Sequence, residues 1–257
     1  MNANTHLFLL YVDSLLEKKS YSLSAPLTLR SPELAHRINT VLRLGNGEHI
    51  QLFSNTCVIT LALQPSPRPK ELIIGTVVDC KPLTSPTYNQ IVCIGLLKKE
   101  SFEEAVHHAT VTGATTIIPC ITTKSRKSWQ SPREIERLKT IIIAACEQSK
   151  NYYIPTLLDP QKLDLIIQNT PPIFSLGFEA TGAPLTDALQ TIAQQKPSKI
   201  RFFIGPEGGF TEQECSAMRE ANVQFYQLTP TILRSQEAVC LAGGLISSVK
   251  NNITRSS

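Results

Sequence analysis

From about Asn89 onward, short apolar runs alternate with helix starts of one recurring kind, and this alternation constrains the fold more than any other feature of the chain. Ile91–Leu97, Thr115–Cys120, Ile173–Phe178, Lys199–Ile204 and Val223–Leu228 read as strands. Between them, Ser101-Phe-Glu-Glu104, Ser131-Pro-Arg-Glu134 and Thr211-Glu-Gln-Glu214 each place an acid three residues after a hydroxyl, the capping-box signature of a helix start. The first opens a helix carrying Phe102, Ala105, Val106 and Ala109 and ending at Gly113; the second opens a long helix through Ile135, Leu138, Ile142 and Ala145. Further helices are expected near Thr186–Gln195 and from about Ser235 to Val249. Strand and helix in turn imply an α/β fold, a mostly parallel sheet with helices on its faces. Ligands in such sheets sit beyond the carboxyl ends of strands. Ser175–Gly182, Ile204–Phe210 and Leu228–Ala238 each begin where a strand ends, which makes them the segments to search for chemistry.

The residues before this region follow another rhythm. Ser31-Pro32-Glu33 supplies an N-cap, a proline at the first helical position and an acid in the first turn. Leu34, Ile38, Val41 and Leu42 continue that helix, Gly45 is expected to end it, and Asn46-Gly47 turns into the strand-like Glu48–Phe53. Cys57–Leu63 and Leu72–Val78 follow as strands, and Lys81–Pro86 reads as a linker. The expected division is a small β-rich module over 1–80 and an α/β domain over 81–257. A chain of 257 residues allows that, and 42% apolar with 18% charged residues fits a soluble globular protein. No apolar run reaches the ~18 residues of a membrane span, and Met1–Asp13 lacks the pattern of a secretory signal, so a cytoplasmic location is expected. Seven cysteines at irregular spacings, without a C-x-x-C pair, suggest buried thiols and neither a disulfide framework nor a metal site.

Three features carry chemistry. In Phe202-Phe-Ile-Gly-Pro-Glu-Gly-Gly-Phe210 a buried strand enters a glycine-rich turn followed by a capped helix. The order G-P-E-G-G puts an acid where a pyrophosphate would lie, which argues against a dinucleotide and for a ligand with a hydroxyl, amine or positive charge; a tight strand-to-helix turn is the alternative. Arg234 stands beside the start of the last helix, where a cation gains nothing from the helix dipole and wants an anionic partner. That partner is either Glu237 or a substrate that carries charge during reaction. Lys124, Arg126, Lys127, Arg133, Arg137 and Lys139, with Trp129 among them, face only Glu134 and Glu136; they form either a solvated helix face or a phosphate-binding edge. A net charge of +4 decides nothing by itself. The missing side chains of Ala242-Gly-Gly244 permit close packing against another helix or a subunit.

Ile204-Gly-Pro-Glu-Gly-Gly-Phe210, Ile143-Ala-Ala-Cys-Glu-Gln148 and Leu228-x-Pro-x-Ile-Leu-Arg234, in register with His36 and Val41-Leu-Arg43-Leu-Gly45, resemble the bacterial ribosomal small-subunit RNA methyltransferases that act on N3 of a uridine, members of the SPOUT superfamily. The resemblance implies an N-terminal PUA-like β-barrel that helps hold RNA and a C-terminal SPOUT α/β domain tied in a trefoil knot. It also implies S-adenosylmethionine as methyl donor without a metal, 16S rRNA or the small ribosomal subunit as partner, and a homodimer with the active site near the subunit interface. By the same resemblance Leu176, Gly177, Gly205, Glu207, Gly208, Leu228, Thr229, Ile232, Leu233 and Ala238 hold the cofactor. Arg37, Arg43, Lys124, Arg126, Lys127 and Lys150 are the candidates for RNA contact. Arg234 is the expected catalytic residue, its guanidinium stabilising the charge over O2 and O4 of an N3-deprotonated uracil; Glu207, Glu237 and water are candidates for the proton. The family's L-G-P-R-x-L-R-x-E-T-A is altered here at Thr229, Thr231, Gln236 and Glu237, and Lys150-Asn-Tyr-Tyr153 follows C-E-Q where the family carries arginines. A family member that grips RNA without methyl transfer, or one with another RNA target, is the alternative.

Overall fold

The computed structural model describes residues 7–13, 16, 20–84, 86, 88–125, 131–168 and 173–255, with the backbone alone for 250–255. Arg126, Lys127 and Trp129 lie outside the described residues. The chain divides into two compact units, residues 1–85 with 147–152, and residues 86–146 with 153–257.

In the first unit, β1 (Phe8–Tyr11) and β2 (Pro26–Arg30) precede α1 (Pro32–His36). Ser31 caps α1 as its sequence predicts, its hydroxyl accepting the Leu34 N–H at 3.2 Å. The helix continues as a π-turn over Arg37–Val41 and stops short of Gly45, because Arg43 takes the left-handed conformation with φ 56° and turns the chain first. β3 (His49–Phe53), β4 (Cys57–Gln64) and β5 (Leu72–Pro82) follow, β5 taking up the first two residues of the expected linker. The sheet order is β1-β3-β4-β5-β2, with β1 parallel to β3 and every other pair antiparallel. Leu34, Ala35 and Ile38 pack against buried residues of β3, β4 and β5 to make the core. Among the described residues the path is open, with β1 and β2 unpaired to each other at its two ends. Residues 147–152 bring Glu147 to Arg37, whose two terminal nitrogens donate to the carboxylate at 3.0 and 2.6 Å, and the Tyr11 N–H donates to the same group at 2.9 Å.

The second unit is β6 (Asn89–Gly95), α2 (Lys99–Val111), β7 (Thr116–Ile121), α3 (Pro132–Ser149), β8 (Thr156–Leu157), β9 (Gln161–Lys162), α4 (Leu163–Gln168), β10 (Phe174–Pro184), α5 (Leu185–Gln195), β11 (Lys199–Ile204), α6 (Glu212–Glu220), β12 (Gln224–Gln227) and α7 (Ser235–Arg255). Its strands are all parallel, in the order β12-β10-β11-β6-β7-β8, with β9 also on β7. β6 and β11 lie side by side at the centre and are almost wholly buried, as strands covered on both faces must be. The chain leaves β6 toward β7 and leaves β11 toward β12, on opposite sides, so the boundary between β6 and β11 is the switch point of the sheet.

Two of the three capping boxes form. Ser131 and Glu134 exchange bonds at 3.3 Å each, and Thr211 and Glu214 cap α6 reciprocally. The third does not: α2 starts at Lys99, Lys98 is its N-cap without a side-chain bond, and Ser101 falls inside the first turn. Its cap is tertiary, for the Lys98 N–H donates to Glu207 Oε1 at 3.1 Å.

α7 packs on α2 and α5. A Cβ at Gly243 would collide with the Thr112 hydroxyl of α2, whereas one at Gly244 would stand 3.9 Å from the Thr112 methyl. The close approach expected of Ala242-Gly-Gly244 is therefore made within the chain. Urea unfolding should show Gly243→Leu destabilised by about 2 kcal/mol or more, overpacking outweighing the gain in helix propensity. Gly244→Ala should gain up to about 1 kcal/mol; equal effects at the two positions would contradict this packing.

Candidate active site

A cavity of about 820 Å³ opens at the carboxyl ends of β11 and β12 and beside the middle of β10, lined by Lys98, Ser101, Phe178, Glu179, Ala180, residues 204–210, Glu212, Cys215, residues 227–236 and Ala238. Of the residues expected at a cofactor, Gly205, Glu207, Gly208, Leu228, Thr229, Ile232, Leu233 and Ala238 line it, and so does Arg234. Leu176 and Gly177 are not lining residues. Leu176 is fully buried in β10, and a Cβ at Gly177 would stand 2.7 Å from the Phe225 ring, so that glycine makes room for a neighbouring strand's side chain. Phe178, Glu179 and Ala180, the next residues of β10, reach the cavity in their place.

The glycine-rich turn is shaped by close backbone approaches. A Cβ at Gly205 would meet the backbone of Gly209 and Phe210 at 3.2 to 3.3 Å, and Gly209 has φ 66°, a conformation suited to glycine. The Gly209 N–H closes the turn on the Pro206 carbonyl at 2.8 Å. From the first turn of α7, the buried Ser235 donates its hydroxyl to the Gly205 carbonyl at 2.8 Å, joining the two cavity loops. Ser235 was legible only as a hydroxyl at a helix start; its partner thirty residues upstream was not.

Arg234 precedes α7, where its backbone N–H donates to Glu237 Oε2 at 3.0 Å. Its side chain is exposed at the cavity, and among the described residues it pairs with no carboxylate. In place of a pair with Glu237, one of the two readings of this arginine, there is a cap: the carboxylate bonds the backbone at the helix start and, among the described residues, the guanidinium has no carboxylate partner. Ile232 is 94% exposed, and the Thr229 hydroxyl donates to the Thr231 carbonyl at 2.6 Å across the loop.

The candidate RNA contacts fall in both units. Arg37 is occupied by Glu147, which also raises its pKa through their hydrogen bonds. Arg43 and Lys150 are exposed, both with positive φ. The Lys124 ammonium donates to the carbonyls of Gly208 at 2.8 Å and Phe210 at 3.3 Å. Five of the seven thiols are buried and the other two partly so; burial pushes Cys93 up to about 12. Among the described residues no three His, Cys, Asp or Glu side chains gather as a metal requires, and no helix is long and apolar enough to cross a membrane.

Glu207, a candidate proton acceptor, here caps α2. Glu207→Ala should cost about 1 kcal/mol in chemical denaturation, the usual value of a lost N-cap acceptor. Glu207→Gln keeps an oxygen for the Lys98 N–H and should lose less than half of that; identical losses in the two variants would remove the bond from the account.

A model of the RNA methyltransferase domain matches residues 84–247. The ribosomal RNA small subunit methyltransferase E of Rickettsia conorii is 27% identical over 237 residues, covering 91% of this chain and 92% of that protein. The protein of the same name from a Synechocystis species is 26% identical over 230 residues, covering 88% and 74%. In fold, the chain is similar to the Neisseria gonorrhoeae ribosomal RNA small subunit methyltransferase E solved bound to S-adenosylmethionine, with a TM-score of 0.78, 23% identity and 95% and 98% of the two chains covered. A methyltransferase-like protein from Legionella pneumophila, solved with S-adenosylmethionine, gives 0.77 at 22% identity over the same shares. The matched residues include every strand of the parallel sheet and every residue that lines the cavity, and the chain belongs to the RNA methyltransferase domain family.

Proposed function

We propose that the protein transfers a methyl group from S-adenosylmethionine to N3 of a uridine in 16S ribosomal RNA. The observation that carries this reading is the exposed guanidinium of Arg234, without a carboxylate partner among the described residues, at a cavity lined also by the glycine-rich turn. The turn fits an adenosyl cofactor: Gly205 and Gly208 line the cavity together with residues 228–233, and the absence of side chains lets the turn fold tightly, Gly205 against Gly209 and Phe210 and Gly208 against Lys124. S-adenosylmethionine, when bound, supplies a methyl group activated by a sulfonium. Backbone groups of 205–208 and 228–233 would hold it, and the relatives' name and the bound ligand of the structural neighbours favour the same cofactor and an rRNA substrate.

Uridine N3 is a poor nucleophile while protonated, so the protein must favour the deprotonated base. A guanidinium cannot act as a base near neutral pH, but it stabilises charge spread over O2 and O4. Glu207 and Glu237 each already accept a backbone N–H, which leaves one oxygen of each, or water, for the proton. The same reading takes the second unit as a trefoil-knotted SPOUT domain, the first as a PUA-like module that holds RNA, and the working protein as a cytoplasmic homodimer.

Incubation with labelled S-adenosylmethionine and unmodified small ribosomal subunits, followed by nucleoside analysis, tests the reading. The expected product is 3-methyluridine. Label in another nucleoside reassigns the target, and RNA binding without label makes the protein a binding member of the family. In single-turnover assays Arg234→Ala should slow transfer about 10²- to 10³-fold, the cost of removing one preorganised charge-stabilising donor, with cofactor affinity little changed. Arg234→Lys should recover only part, because a point charge lacks the planar fork; a normal rate in the alanine variant removes Arg234 from catalysis.

A further inference from the structure

We propose that Lys124 is a positioning residue of the cofactor loop, clasping residues 205–210 from the loop after β7; the inference rests on the function proposed above and gives this lysine a role other than RNA contact. Two independent features of its geometry agree. The ammonium donates to two carbonyls of the glycine-rich turn, Gly208 at 2.8 Å and Phe210 at 3.3 Å. The aliphatic stem lies across Gly208 itself: a Cβ there would stand 3.1 Å from Lys124 Cδ and 3.4 Å from its Cβ. Gly208 is therefore small on the side where the lysine crosses it.

The clasp has a firm base. The Thr122 N–H donates to Ser125 Oγ at 2.8 Å, which closes residues 122–125 into a turn. The Thr123 N–H donates to Glu214 Oε1 at 2.7 Å, while Oε2 of the same carboxylate accepts the Thr211 N–H at 2.8 Å. Burial alone would raise the pKa of Glu214, but the N–H bonds from Thr211 and Thr123 outweigh it and hold the group below the ordinary carboxylate range. The post-β7 turn is thus tied to both ends of the segment that runs from the glycines into α6. An ammonium is a compact charge with three donors, suited to bridging carbonyls that diverge around it. With two of its protons on Gly208 and Phe210, it is poorly placed to add a full phosphate contact.

The two roles separate experimentally in the full-length chain. Lys124→Met keeps the stem and removes the donors; Lys124→Arg keeps a charge and donors. Three quantities are measured: amide hydrogen exchange without ligand, S-adenosylmethionine affinity by calorimetry, and affinity for 16S rRNA as a function of salt. In Lys124→Met, exchange across residues 205–211 should quicken about tenfold and cofactor affinity should fall about tenfold, the scale of a lost charge-assisted bond. The salt slope should stay as in the parent, and Lys124→Arg should restore most of both losses. A phosphate contact predicts the reverse, a salt slope lower by about one with cofactor affinity intact, and that result overturns the proposal. Unchanged exchange at 205–211, or exchange raised evenly along the chain with a lower melting temperature, overturns it as well. If the parent itself binds no S-adenosylmethionine, the proposed function falls, and the exchange measurement still decides whether Lys124 holds the loop.

Discussion

The contact between Gly95 and Pro206 is the constraint on which the site depends. A Cβ on Gly95 would stand 2.6 Å from the Pro206 nitrogen and ring. Gly95 ends β6, Pro206 follows β11, and these neighbouring parallel strands send their chains to opposite sides of the sheet. Because position 95 carries no side chain, the turn after β11 can fold over the end of β6. That placement brings Glu207 within reach of the Lys98 N–H and sets the Gly205 carbonyl where Ser235 takes it. A methyl group at 95 would push the turn outward and loosen both bonds together.

Each of those bonds is modest, about 0.5–1.5 kcal/mol for a neutral pair and more for a charged one. Their effect is concentrated because all of them act on one short turn. Glu207 joins it to α2, Ser235 to α7 and Lys124 to the loop after β7, so three elements far apart in sequence fix one stretch of backbone. A turn ordered by folding does not have to be ordered again when a ligand arrives, and this is how preorganisation raises affinity.

The same long-range ties explain what the sequence could and could not disclose. The alternation after Asn89 gives the parallel sheet, and residues 204–210 and 228–238 are legible as loops that follow strands, most of whose residues line the cavity. Ser131 and Thr211 cap as their local pattern predicts; Ser101 does not, since Glu207, more than a hundred residues away, supplies the acceptor that sets where α2 begins. Gly177 has the look of a ligand glycine, yet the space beside it belongs to Phe225. Arg37 has the look of a phosphate contact until Glu147 is brought to it. β8 and β9 are two residues each, too short for any periodicity to show, and β1 and β2 are short end strands of their sheet.

Arg234 shows the opposite relation, a local conflict that the fold leaves standing. At the N-cap of α7 its side chain offers no acceptor, and its charge faces the positive end of a 21-residue helix, an unfavourable position worth a few tenths of a kcal/mol or more. A serine, threonine or aspartate there would be more stable. The fold meets the need for a cap from elsewhere: Glu237 turns back to take the Arg234 N–H, and its negative charge lies in the first turn, where the dipole favours it. Glu237 thus bonds the backbone of Arg234 and is not paired with its guanidinium. What results is a cation at the cavity without a partner among the described residues, a local conflict of the kind expected at a functional position, which is why Arg234 is the residue whose substitution tests the proposed function.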